Sequence, residues 1–428
     1  MTPPRRVLIT GASGYIGSRL VQSAVTAGLE VVAGVRHPER YPRSDARAAA
    51  FDLARADEAE RLVGGVDAVI HLAAVIPEGA AVRGAAEDVN VEGARALLDA
   101  ARRHGVRRFV FVSSHSAAAD SPTRYGRAKW AIERMLDPRR GEVAVRLGLV
   151  CGGPLRGVYG RLARLSRRHR WLPLFGAGAP VYPIEVGAVC DCLLGLVRCE
   201  HPPAGTIWVG RPAPVRFAEF LRVLSRERLG RGVGLIPIPS LAARLACRIA
   251  EILPFLPFPI ERVRGLLALR PVDTTQWPGP DALGVAPRDY RELLASEGMR
   301  RRRLAEGSTL VRYVLGAEAP PGVLRRYARA VAAEPDPEPL DLPGVLVTFP
   351  RLLRLCEPAG AAGARSALRR RIDLATAIAE MTPQGALRFH AYERSRRAAA
   401  IARLAWLAAG EAAALVVRLM AWRAVSRR

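Results

Sequence analysis

Residues 6–10, RVLIT, run without a break into GASGYIG at 11–17. A short apolar run with β-branched residues reads as a strand. VQSAVTAG (21–28), beyond the glycines, has helical spacing and a glycine stop. A strand, three glycines three residues apart and a helix leave the chain few choices. Gly11 permits a tight turn, Gly14 lets the backbone approach a pyrophosphate, and Gly17 lets the helix lie close to the strand. The head of such a helix offers its N–H groups to anionic phosphate.

The continuation supplies the context that this motif needs. EVVAGVR (30–36), AAAFDL (48–53), VDAVIHLAA (66–74), RRFVFVSS (107–114) and VAVRLGLV (143–150) read as five further strands. DEAERLVGG (57–65), VNVEGARALLDAARRHG (89–105) and RYGRAKWAIERML (124–136) read as helices between them. Strands that are nearly continuous apolar runs, alternating with helices, form a parallel sheet covered on both faces. The expected fold is therefore a doubly wound α/β sheet of the Rossmann type, with a smaller α/β lobe and a helical C-terminal extension. The expected domains are 1–154, a dinucleotide-binding core; 155–298, a substrate lobe; and 299–428, a basic extension. Gly152, Gly153 and Pro154 close the first of these. The last holds 22 arginines against 11 acidic residues, beyond residue 300, and an acidic, Pro-rich linker, AEPDPEPLDLP (333–343).

Net charge is +25, which raises nucleic acid or an anionic membrane as partners. The arginines are spread along the whole chain, aromatics are 6% of it, and no nucleic-acid motif is present, so nucleic acid is not expected. The six cysteines form no CxxC pair, which suits a reduced compartment. The chain enters a strand at once and has no run of 18 uncharged apolar residues. A cytoplasmic protein is expected, with a peripheral place on the inner membrane face left open. The seven histidines make no HExxH pattern, and no metal is expected.

Of 65 basic residues only Lys129 is lysine. It is either a surface charge that never became arginine or a site that needs a compact ammonium with a shiftable pKa. Tyr125 lies four residues earlier, on the same helix face, where an ammonium would stabilise phenolate and lower a pKa that starts near 10. At the end of the second strand stands Arg36 rather than an acid. A guanidinium there suits a 2′-phosphate, so NADP(H) is favoured, with Arg40 assisting and NAD(H) left open. Asp52 ends the third strand, as an adenine acceptor or a helix N-terminal carboxylate.

TGASGYIG, HLAA (71–74), NVEGARALLDAA (90–101), FVSS (111–114), YGRAK (125–129) and RLGLVCGGP (146–154) occur in this order. Together they resemble the extended and atypical short-chain dehydrogenases/reductases, the NAD(P)-dependent epimerase/dehydratase group. The short spacing from the serine pair to Tyr125 is similar to the branch that includes the nucleotide-binding accessory subunit of respiratory complex I. The resemblance covers about residues 5–293. It implies Tyr125 as general acid/base, Lys129 as its helper and Ser114 as the third member. It also implies a cofactor lining of Gly11, Ser13, Gly14, Tyr15, Ile16, Gly17, Arg36, Asp52, Leu53, Leu72, Ala73 and Ala74, with Tyr125 and Lys129. The implied activity is hydride transfer between NAD(P)(H) and a carbonyl or alcohol on a small-molecule substrate. The alternatives are a structural or sensing protein that holds NADPH on a membrane complex, and a nucleotide-sugar epimerase or dehydratase. His115 and Leu147 depart from the family pattern, while His71 and Asn90 read as structural.

In the lobe, PLFGAGAPVYPIEVGAVCDCLLGLV (173–197) resembles the family segment that re-enters the sheet. RLARLSRRHRW (161–171) reads as a basic helix near the mouth of the cleft, either suited to an anionic substrate such as a sugar nucleotide or a solvated face. LAARLACRIAEILPFLPFPI (241–260) reads as buried core, with a lipophilic substrate or a membrane as the other readings. Helical stretches are expected near 362–380 and 385–425. The second is apolar in its middle and Arg-rich at its ends, suited to an anionic membrane interface, to packing on the first domain or to a protein complex.

Overall fold

The structure is a computed structural model that describes residues 5–55, 58–75, 85–252, 260–335, 337–355, 367–383, 385–387 and 408–412. The chain forms two compact units, Met1–Glu297 and Gly298–Arg428.

The first unit opens with β1 (Arg6–Thr10), α1 (Tyr15–Thr26), β2 (Glu30–Val35), β3 (Arg47–Ala50), α2 (Glu58–Val63) and β4 (Ala68–His71). It continues with α3 (Ala85–Arg103), β5 (Arg108–Ser114), α4 (Arg124–Glu133), β6 (Glu142–Leu147) and β7 (Leu149–Cys151). The lobe elements are α5 (Gly157–Arg168), β8 (Trp171–Phe175), β9 (Pro180–Val181), β10 (Pro183–Glu185), α6 (Val186–Arg198), β11 (Thr206–Val209), β12 (Val215–Arg216), α7 (Phe217–Val223), β13 (Gly234–Ile238), α8 (Ser240–Ile252) and α9 (Ile260–Ala268).

Seven strands form one parallel sheet in the order β11-β6-β5-β4-β1-β2-β3. The pleat sends alternate residues to opposite faces. Val7 and Ile9 of β1 join the layer beneath α1 and α6, with Leu20, Val189 and Leu193. Leu8 joins the layer beneath α2 and α3, with Leu62, Leu97 and Phe111. Burial on both faces is why these strands lack polar alternation. The chain runs outward from β1 to β3 and returns to place β4 on the other side of β1. A crevice therefore opens at the carboxyl ends of β1 and β4, the topological switch point.

Two expectations need correction here. The run 143–150 is not one strand. It breaks at Gly148, where a Cβ would lie 2.1 Å from the Tyr182 carbonyl oxygen, and β7 leaves the sheet to pair with β10. Nor does 173–197 supply a strand to the large sheet: α6 packs on it, and β11, after that segment, pairs with β6.

In the second unit the α-helices among the described residues are the later part of α10 (Tyr290–Leu315), α11 (Pro321–Ala332), α12 (Gly344–Thr348) and α13 (Ala367–Glu380). Leu310, Val311, Tyr327, Leu353, Ile372 and Ala375 form its core. Arg371 is buried between Glu306 and Glu334, and the Tyr327 hydroxyl donates to Glu306 at 2.5 Å, so the buried charges are paired. Most of the expected helix at 385–425 lies outside the described residues.

Candidate active site

The glycine turn is built by close approach. Gly11 has φ +67, and a Cβ there would stand 2.9 Å from the Ala73 nitrogen. A Cβ on Gly17 would stand 2.2 Å from the Gly11 carbonyl oxygen, so α1 lies directly on the turn. The Gly14 N–H donates to Gly11 O at 2.9 Å. Gly14 caps α1 with no side-chain hydrogen bond, which leaves the helix head to its backbone and whatever binds there. Ser13 is exposed in the turn. The Tyr15 hydroxyl donates to Gly152 O at 2.5 Å and its ring stacks on Tyr159 at 6.4 Å. Burial pushes this phenol far up. Tyr15 thus fastens the glycine turn to the lobe.

Beside the turn, Thr10 Oγ1 lies 2.7 Å from His71 Nδ1 and accepts from the Ala73 N–H at 3.3 Å. Burial and the nearby Lys129 push His71 down to about 3, so it is a neutral hydrogen-bonding group. Asn90 clamps both backbone groups of Val75, at 2.7 and 2.9 Å. These two side chains hold the segment after β4 in place.

The second half of the site comes from β5 and α4. Thr123 caps α4, its hydroxyl accepting from the Gly126 N–H at 3.1 Å. The helix then aims Tyr125 and Lys129 at the end of β5. Lys129 is buried at 4% exposure. Its ammonium donates to Val112 O at 2.6 Å and sits 4.5 Å from the Phe111 ring centroid and 5.7 Å from that of Tyr125. Burial pushes it down to about 7, against the opposing pull of Glu133. Tyr125 is half-buried and hydrogen-bonded to Ser114; burial pushes its phenol up to about 12, with the Ser114 bond opposing. The expectation that the ammonium would bring this phenol below 10 is not met, because desolvation by burial is the dominant effect on it. Ser114 Oγ also lies 3.0 Å from Ser116 Oγ and accepts from the Ser116 N–H at 3.2 Å.

Beneath the trio, Glu133 accepts from Ser113 Oγ at 2.5 Å and pairs with Arg146 at 2.6 and 2.9 Å. The Arg146 guanidinium lies over Trp277 at 5.0 Å.

A cavity of about 740 Å³ joins these parts. Gly11, Gly14, Tyr15, Ile16, Gly17, Leu72, Ala74, Ser114, Tyr125 and Lys129 all line it. Ser13, Arg36, Asp52, Leu53 and Ala73 are not among its lining residues. Arg36 is exposed just beyond β2. Asp52 accepts locally from the Ala54 N–H at 3.1 Å. Leu53 is buried in the core, and a Cβ on Gly93 of α3 would stand 2.5 Å from its carbonyl oxygen. His115 lines the cavity, its ring edge-on to Tyr182 at 4.9 Å and to Trp208 at 5.7 Å and its Nε2 3.1 Å from Arg270 O. Burial pushes its pKa down.

Sequence reasoning missed the opposite wall. Leu162 of α5, Leu172 and Phe175 of β8, Phe217 of α7, and Leu266 and Leu269 around α9 line it. Their only sequence signal was the amphipathic spacing within each short element, and no single element announces a shared pocket. Among the described residues no group of three His, Cys, Asp or Glu could hold a metal, and no helix is long and apolar enough to cross a membrane.

Residues 7–152 match the sequence model of the NAD dependent epimerase/dehydratase family. A 3-beta-hydroxysteroid dehydrogenase of Mycolicibacterium neoaurum is 36% identical over 118 residues, 26% of this chain and 32% of that protein. A 4-hydroxy-2-methyl-3-oxo-4-farnesyl-3,4-dihydroquinoline-1-oxide ketoreductase of Stigmatella aurantiaca is 27% identical over 272 residues, 58% of this chain and 80% of that protein. The chain thus spans about a third of the steroid dehydrogenase and most of the ketoreductase. Among solved structures, a UDP-glucose 4-epimerase of Thermotoga maritima with UDP-glucose superposes with a TM-score of 0.53 at 19% identity, over 69% of this chain and 99% of that one. MoeE5 in complex with UDP-glucose and NAD does so at 0.52 and 22%, over 70% and 99%. At these identities the likeness is one of fold.

Proposed function

We propose that the chain, whose residues 7–152 match the NAD dependent epimerase/dehydratase family, is an NAD(P)-dependent oxidoreductase acting on an apolar carbonyl or alcohol. The observation that carries this reading is the single cavity shared by the glycine turn and by Ser114, Tyr125 and Lys129. The cradle fits a dinucleotide: a Cβ on Gly11 or Gly17 would collide with backbone, and the side-chain-free head of α1 suits a pyrophosphate. A bound nicotinamide would supply or accept the hydride. Tyr125 passes the proton. With its phenol held up at about 12, it stands protonated at neutral pH, ready to donate to a carbonyl oxygen as the carbon is reduced. Ser114, already bonded to Tyr125, orients the same oxygen. Lys129 in its ammonium form stabilises the phenolate left behind.

NADP(H) is the proposed cofactor, because Arg36 rather than an acid follows β2 and is exposed there. The domain roles follow: 1–154 holds the cofactor, 155–298 shapes the substrate pocket, and the basic extension 299–428 meets an anionic membrane surface or a protein complex. The apolar wall favours a lipophilic substrate over a sugar nucleotide, and the names of the steroid dehydrogenase and farnesyl-quinoline ketoreductase agree.

Mass spectrometry of ligands released from the purified chain, followed by NADPH oxidation against a panel of apolar ketones, tests the reading. The expected result is a released nicotinamide dinucleotide and turnover that depends on Tyr125. Tightly held NADPH with no hydride exchange on any ketone would favour a structural or sensing role, and cofactor recycling on a nucleotide sugar would favour an epimerase.

A further inference from the structure

The segment 241–260 was expected to be buried core. Residues 253–259 lie outside the described residues, and α8, which holds the earlier part, is buried on one face only. It buries Ala243 and Cys247 against Phe175, Ile238 and Val263, and Ala250 is buried too. Its other face exposes Leu241 at 79%, Leu245 at 57%, and Ile249, with Arg244 and Arg248 exposed among them. The surface continues onto the β8–β13 pair. Alternation puts Trp171 on the same face of β8 as Phe175, and Ile236 on the same face of β13 as Ile238. Trp171 is 67% exposed and Ile236 about half. On α5, Val158 and Leu165 line the cavity and are themselves about half exposed. Phe175, which α8 packs against, lines the cavity too, so the cavity wall and the base of the α8 surface share a residue.

Charge completes the pattern. No Asp or Glu occurs between Glu142 and Glu185, or between Glu227 and Glu251. Arg167, Arg168 and Arg170 are exposed beside Trp171, as Arg244 and Arg248 are on α8. Leucines exposed in a contiguous, polar-rimmed patch mark an interaction surface.

We propose that this face of the first unit, α5, the β8–β13 pair and α8, docks on an anionic lipid bilayer, so that the cavity opens onto the membrane interface. Phosphate headgroups take the arginines, while the acyl boundary takes Leu241, Leu245 and Ile249; a tryptophan at the rim suits the headgroup layer. Nucleic acid would satisfy the arginines and leave the leucines in water. The surface is separate in sequence from the basic extension. It extends the proposed reaction, because an apolar substrate held in a bilayer would reach the cavity without crossing water.

Flotation of the full chain with phosphatidylglycerol-containing vesicles, against phosphatidylcholine alone, at low and high salt, tests this. The chain should float with the anionic vesicles and be released by salt. L241S/L245S and R244Q/R248Q should each weaken binding about tenfold or more, at roughly fivefold per arginine for the second pair. Both variants change exposed side chains, so their melting and NADPH binding should match those of the unaltered chain. No flotation of the unaltered chain, unchanged flotation of both variants, or displacement from vesicles by duplex DNA would each overturn the docking face. Flotation reads docking without turnover, so docking and the proposed reaction can fail separately.

Discussion

The Lys129 ammonium donates to the Val112 carbonyl oxygen at 2.6 Å, and this bond ties the only lysine of the chain to the strand that ends in Ser114. Burial around that bond, more than any neighbouring charge, sets the ionisation of the amine. Arginine would stay charged there and would need room for a planar fork of five donors.

A lone lysine makes its ionisation directly readable. Reductive methylation with ¹³C-formaldehyde should give one dimethyl-lysine resonance, titrating near 7. A midpoint near 10 would mean that Lys129 faces water. The folded value lies below the unfolded value of about 10.4, so unfolding takes up a proton between the two. The burial cost is therefore present in full below about 7 and is relieved as pH rises toward about 10.4. Urea midpoints should show Lys129→Met more stable than the unaltered chain at pH 6, with the gap closing by pH 10.

Tyr125→Phe removes the transferable proton and leaves the glycine cradle untouched. Turnover should fall by about a hundredfold to ten-thousandfold while NADPH binding, followed by fluorescence, holds. Ser114→Ala should lose less. A Tyr125→Phe enzyme with ordinary turnover on a true substrate would assign the proton to another group.

Gly17→Ala forces a methyl carbon to 2.2 Å from the Gly11 carbonyl oxygen, and backbone must move. About 1–3 kcal/mol of stability and most of the dinucleotide affinity should go together. Gly28→Ala is the control: its φ of +79 is strained but nothing lies within 4 Å. It should cost about 1 kcal/mol with cofactor binding intact, as thermal melts and NADPH titrations would report.

Arg36→Ala should separate the two dinucleotides. Charge-assisted hydrogen bonds contribute about 1.5–3 kcal/mol, so the Kd for NADPH should rise about tenfold or more while that for NADH stays level. Equal effects on both would place the 2′-phosphate elsewhere.

Glu133→Gln breaks a half-buried pair and strands the Arg146 guanidinium. Chemical unfolding should show a loss of about 3 kcal/mol, and the methylated Lys129 resonance should titrate lower still, since Glu133 is the charge that opposes the burial shift. An unmoved midpoint would mean that Glu133 only supports the fold.

Much of this was readable from particular residues. Gly11, Gly14 and Gly17 announced the turn, and the apolar runs announced the strands of the sheet, because both signals lie within a few residues of themselves. The i, i+4 spacing of Tyr125 and Lys129 put them on one helix face before any packing was known. Other features gave no such signal. The break at Gly148 depends on Tyr182, and Leu53, drawn toward the cofactor by position, is held in the core by Gly93 of α3. The outward Leu241, Leu245 and Ile249 of α8 are spaced by four, as its buried Ala243 and Cys247 are, so local pattern does not say which face is covered.

The amino-acid order by itself determined the kinds of element, their succession and the glycine turn, since hydrophobic period and left-handed φ are properties of neighbouring residues. Only the tertiary structure decided the ionisation of Lys129 and Tyr125, the apolar wall gathered from α5, β8, α7 and α9, and the bare face of α8. Each of these depends on which distant groups exclude water from a given atom, and exclusion of water is not a local property of the chain.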